Sequence, residues 1–216
     1  MWLSNRKELT MINPDELRFG DKINSAAIHV DLYDVPTHII RLYQLLHFYK
    51  AWKDTHTVTF LGTAHGKFDV DHIFEWTFPT ATYTPFDEWF NPDKTSYSVH
   101  RYADAIPTIS AEDLILNFFD EMDGRIYDVP SLFNFIILDI LDYDEADYKP
   151  ILDLGKKNMV CSVGARAADM LWYEKLLIPS LHRRPGGKIH VERTAPALFP
   201  EHETYLHLGK LIVNTA

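Results

Sequence analysis

The strongest constraint on the fold is an order of patterns along the chain, in which β-branched and aromatic runs come first and helical spacings follow. Thr55–Leu61 and Asp71–Trp76 are such runs, and a glycine-containing connection between them predicts an antiparallel hairpin. Ser96–Tyr102 predicts a further strand, and Leu17–Ile23 a turn entering a short one. Ile39, Leu42, Tyr43, Leu46 and Tyr49/Lys50 keep a 3.6-residue period and predict a helix over Ile39–Trp52. In the second half, Ser110-Ala111-Glu112-Asp113 resembles a capping box, apolar residues recur at Leu114, Ile115, Phe118, Phe119 and Met122, and Gly124 is a helix stop. Leu132–Leu141 is a nearly continuous apolar run that fits a buried helix, and Asp142–Lys149 reads as an acidic loop. A last helix is expected from Cys161 to about Leu176, with Val163, Ala167, Met170 and Leu171 on one face. Strands followed by helices imply an α+β fold, an antiparallel sheet packed with helices.

Neither an internal repeat nor a linker-like cluster of Pro and Gly interrupts the 216 residues, so a single domain over 1–216 is expected. Hydrophobic residues at 46% supply enough apolar surface for a packed core. The formal charge of −10 repels a phosphate backbone unless a local basic patch overcomes the field, which argues against a nucleic-acid partner. No stretch reaches the ~18 apolar residues of a membrane span. The segment Met1–Glu8 has no apolar run after its charges, so no signal peptide is expected and the location reads as cytoplasmic, with a virus-encoded origin or export by another route as alternatives.

Chemistry points to Cys161, the only cysteine, which stands where a turn feeds a helix. Unpaired N–H groups and the partial positive charge of a first helical turn favour a thiolate there, although most free cysteines are inert core residues. A cysteine nucleophile needs a base and a group to orient it. With 11 histidines, position must select: His56 heads one strand of the expected hairpin, and Glu75 lies on the next, within cross-strand reach. His65, Asp69 and His72 fall in the hairpin turn and match no ligand spacing, so no metal is expected. The basic cluster His182–Lys188 lacks the spacing of a phosphate loop and reads as a solvated turn. A dinucleotide fingerprint and a serine elbow are both missing from the sequence, and no cofactor is expected.

Taken together, Phe19-Gly20-Asp21, Thr55-His56-Thr57-Val58-Thr59-Phe60-Leu61-Gly62, His72-Ile73-Phe74-Glu75-Trp76 and Pro85-Phe86-Asp87-Glu88-Trp89 resemble the first half of the circularly permuted NlpC/P60 cysteine hydrolases. Gly124-Arg125-Ile126-Tyr127-Asp128, Val160-Cys161-Ser162 and Thr194-Ala195-Pro196-Ala197-Leu198 resemble the second half. The resemblance spans roughly residues 17 to 200 and implies a permuted papain-like fold, because His56 and Glu75 precede Cys161. It implies Cys161 as nucleophile, His56 as general base and Glu75 as the group orienting it, with Tyr127 and Ser162 beside the substrate and the Cys161 N–H available to an oxyanion. The expected activity is that of a thiol peptidase or amidase on a peptide or other acyl substrate. Family members cut γ-D-glutamyl links in cell-wall peptides, while lecithin:retinol acyltransferase-like cousins move lipid acyl chains. A lipid acyltransferase or thioesterase, or an inactive binding module of the same fold, is the alternative. Oligomeric state is left open.

Overall fold

The computed structural model describes residues 10–27, 34–46, 50–102, 109–130, 132–133, 159–174, 183–184, 187–188, 195–201 and 205–212. Seven strands form one sheet: β1 (Met11–Ile12), β2 (Lys22–Ala27), β3 (His56–Gly62), β4 (His72–Trp76), β5 (Ala81–Pro85), β6 (Thr95–Tyr102) and β9 (Tyr205–Leu211). Their spatial order is β1-β9-β6-β2-β3-β4-β5. Arg183–Arg184 (β7) and Gly187–Lys188 (β8) pair separately within the basic cluster that the sequence assigns to a turn. The helices are α1 (Val35–Leu46), α2 (Phe86–Trp89), α3 (Ile109–Met122), α4 (Cys161–Glu174) and α5 (Leu198–Glu201).

The α+β class holds, with two corrections. The sheet is mixed, because β1 runs parallel to β9 while the other pairs are antiparallel. The chain also returns to the sheet after its helices, since β9 inserts between β1 and β6. Gly209 permits this insertion: at φ 149° its missing Cβ leaves room for the Thr10 carbonyl, which a side chain would meet at 1.9 Å.

Alternation along the strands builds apolar clusters on both faces of the sheet, two of them large. Ile23, Val58, Phe60, Ile73 and Val99 face one side, against Phe86 of α2 and Ile12 and Leu17 of the first segment. Leu61, Phe74 and Trp76 face the other, against Ile39, Ile40 and Tyr43 of α1 and Ile115 and Phe119 of α3, with Phe74 and Phe119 stacked at 4.4 Å. Gly164 on α4 lets Trp76 approach, since a Cβ there would lie 2.4 Å from the indole ring.

Helix α1 begins four residues before the periodicity predicts. Asp34 accepts the Thr37 N–H at 3.2 Å and caps it, ahead of the apolar pattern. The expected continuation to Trp52 fails because residues 51–53 form a turn, whose Trp52 carbonyl accepts from the Gln44 side chain at 2.8 Å. Strand β5 is an addition to the sequence reading, and α3 and α4 occupy their expected places. Of the apolar run Leu132–Leu141 only Leu132 and Phe133 are described, and the acidic loop Asp142–Lys149 lies outside the described residues. No described helix is long and apolar enough to cross a membrane.

Candidate active site

The antiparallel register of β3 and β4 begins at Val58↔Glu75, so His56 stands just past the last paired position, beside the carboxylate it faces. His56 Nε2 lies 3.3 Å from Glu75 Oε2, and the other carboxylate oxygen accepts the Thr84 hydroxyl of β5 at 2.8 Å. Glu75 is thereby held from both neighbouring strands. On its other side the imidazole faces Cys161, the first residue of α4, close enough for charge to act between ring and sulfur. The Thr57 backbone also favours a charged sulfur there, and Tyr127 Oη donates to it at 4.0 Å.

Tyr127 reaches the sulfur through the turn that follows α3. Gly124 takes φ 74°, its N–H donates to the Ala81 carbonyl, and Tyr127 then bridges to Met159, two residues before the cysteine. Ser162 is buried in the first turn of α4. The segment Ala195–Ala197 is pinned nearby: the Asn24 amide donates to the Pro196 carbonyl at 2.7 Å, and the Ala197 N–H to the Gln44 side chain at 2.8 Å.

Electrostatics follow from these contacts. Burial pushes the Cys161 thiol up, but the charge and hydrogen bond of His56, the Thr57 N–H and the Tyr127 hydroxyl outweigh it and hold the thiol below its ordinary value. Burial likewise opposes an imidazolium, and the Cys161 thiolate, then Glu75, override it and push His56 from 6.5 up to about 10. Glu75 is pulled below the usual carboxylate range, because His56 and the Thr84 hydroxyl exceed the cost of its burial. Burial and the adjacent sulfur raise the Tyr127 phenol well above its normal value, so it stays a donor at neutral pH. The arrangement favours a thiolate–imidazolium pair with a carboxylate behind it. Cys161 is 0% exposed, and the His56 side chain 24%.

The structure thus brings Cys161, His56, Glu75 and Tyr127 together. Sequence reasoning missed Thr84 and the Thr57 N–H. The first was detectable as the alternating Thr82-Tyr83-Thr84 run of β5; the second is a backbone group at a strand end, which carries no residue-type signal. The histidines of the hairpin turn go elsewhere: His65 pairs with Glu112, and His72 stacks on Phe68 at 4.1 Å while its Nδ1 faces the Val70 carbonyl. Groups of three or more metal-ligating side chains are absent among the described residues. A cavity of about 310 Å³, lined by Phe19, Phe60, His65, Asp71 and Glu112 among others, opens at the far end of β3 from His56 and includes none of the four. Compared with known proteins, the chain matches no family model and no curated sequence.

Proposed function

We propose that the protein is a cysteine-dependent acyl hydrolase, an amidase or peptidase working through a thioester acyl-enzyme, on a circularly permuted papain-like NlpC/P60 scaffold. The observation carrying this reading is the joint placement of sulfur, imidazole and carboxylate at the start of α4, with His56 between Cys161 and Glu75. In the proposed cycle the Cys161 thiolate attacks an acyl carbonyl carbon and the carbonyl oxygen takes the negative charge. First-turn N–H groups of α4 are suited to receive that charge. The tetrahedral species collapses as the C–N or C–O bond breaks, the His56 imidazolium gives its proton to the departing nitrogen or oxygen, and a thioester remains. Water then loses a proton to neutral His56, attacks the thioester, and releases the acid as sulfur departs as thiolate. Glu75, held by Thr84, keeps the ring in place and balances its charge.

The test is incubation with p-nitrophenyl acetate, following nitrophenolate release together with intact mass. A burst with one acetyl group on the protein, lost in Cys161→Ser and slowed in His56→Ala, is the expected result. Full burial of Cys161 favours a second reading, a binding module that keeps the fold with a sealed thiol. Absence of both burst and adduct in a folded wild-type protein selects that reading.

A further inference from the structure

We propose that the outer face of α1, with the turn after it, is a docking surface for an anionic lipid surface. The inner face of α1 is spent on the core, through Ile39, Ile40 and Tyr43. Its outer face is apolar as well: Val35 is 50% exposed, Leu42 47%, Leu45 55% and Leu46 51%. Positions 35, 42, 45 and 46 share one side of a 3.6-residue helix, with the exposed His38 between Val35 and Leu42 on that side.

Charge names the occupant. The chain carries −10 overall, yet residues 35–53 contain no Asp or Glu and include Arg41, Lys50 and Lys53. Of the carboxylates nearest in sequence, Asp34 caps the N-terminal end of α1 through the Thr37 N–H and Asp54 is engaged with the Asn24 and Ser98 side chains. Glu201 reaches this region and accepts the Lys50 backbone N–H at 3.2 Å, leaving the lysine ammonium to other partners. Arg41 Cζ and Lys53 Nζ lie 6.0 Å and 5.6 Å from the Trp52 ring, and the Arg41 guanidinium also donates to the Ala27 carbonyl at 3.3 Å. Leucines that enter an acyl layer, a tryptophan at headgroup depth and basic side chains among anionic headgroups make up the composition of an interfacial helix. A second copy of the chain is a poorer occupant, because a two-fold contact would set the same three cations against themselves.

The experiment sediments the full chain with vesicles of pure phosphatidylglycerol and, separately, of pure phosphatidylcholine. Binding to the first and not the second is expected, weakening as salt rises. Leu42→Glu/Leu45→Glu, at exposed positions, is expected to weaken binding at least ~tenfold by removing the apolar contact. Lys50→Glu/Lys53→Glu does the same by charge alone, by ~tenfold or more. Cys161→Ala pellets like the wild type, which separates this proposal from the hydrolase reading. No binding to phosphatidylglycerol, or binding unchanged in the double leucine variant, overturns the proposal. So does a dimer in light scattering that the leucine variant dissolves, which would seat a second copy on the face.

Discussion

Removing the His56 ring should return Cys161 to a neutral thiol at physiological pH. The magnitude follows from the reciprocal shift: moving an imidazole from 6.5 to about 10 corresponds to ~5 kcal/mol, at 1.36 kcal/mol for each tenfold change. The sulfur outranks Glu75 among the groups that raise the ring, and by linkage the ring favours the thiolate in turn. His56→Ala should therefore lower the thiolate population by ~tenfold or more at pH values where the thiol is mostly protonated. Burial then acts unopposed by the imidazolium and moves the titration above the ~8.5 of a free thiol. A single cysteine makes the assay clean: thiolate ultraviolet absorbance is followed against pH, with Cys161→Ser as baseline, and needs no reagent to reach a sulfur that is 0% exposed. Wild-type absorbance should persist below the free-thiol range and fall only as acid protonates the sulfur, while His56→Ala gains its signal on the alkaline side. Coincident curves in the two proteins would refute the pairing argument, whatever their common midpoint.

Four further outcomes are expected. Thr84→Val removes a hydrogen bond to the Glu75 carboxylate worth ~1.5–3 kcal/mol, so Glu75 protonates at higher pH and the acid edge of the thiolate titration moves up with it. His100, fully buried and lowered from 6.5 to about 3 by burial and His207, stays neutral in the fold but binds a proton once unfolded. Unfolding then takes up protons below 6.5, so stability drops as pH falls towards about 3. The slope is up to ~1.4 kcal/mol per pH unit, and urea titrations of His100→Asn should show it flattened. Asp169→Asn leaves the Lys22 ammonium, 2.7 Å from the carboxylate and 1% exposed, without its counter-charge; ~3–5 kcal/mol of stability should be lost by urea denaturation, with Lys22→Met/Asp169→Leu costing less. Gly164→Ala forces a methyl into the Trp76 ring and should lower the melting temperature, the cost being ~1–3 kcal/mol or more.

Local pattern made much of this legible. The hairpin, the α3 stop at Gly124 and the α4 start at Cys161 rest on β-branched alternation, turn chemistry and a helical period, all read within a few residues. His56 and Glu75 were legible together because one register brings two neighbouring strands into reach. Partners supplied from far along the chain were hidden. Strand β9 is set by its pairing with β1 and β6, about a hundred residues and more away, and its own sequence exposes Leu206 while burying Tyr205. The amphipathic reading of α4 also misleads: Val163 is buried as expected, but so are Arg166 and Asp169, and Ala167 is only half-buried.

The polar contacts of α4 explain that failure and bear on the site. Asp169 receives Lys22 of β2 at 2.7 Å and the Tyr205 hydroxyl of β9 at 2.5 Å, while Arg166 donates to the same hydroxyl at 2.7 Å. Two strands that are not neighbours are thus tied to one helix by directional bonds. An apolar face alone tolerates rotation and sliding of a helix with small loss of contact area, whereas a buried charge displaced from its partner loses several kcal/mol. Residue 169 lies two turns beyond residue 161 on the same helix, so fixing the carboxylate fixes the helix axis and rotation that place the sulfur. At the sulfur, the His56 ring, the Thr57 N–H and the Tyr127 hydroxyl are each effective only over a few tenths of an ångström. A helix register set by ionic contacts at one end is what keeps those three donors aligned at the other.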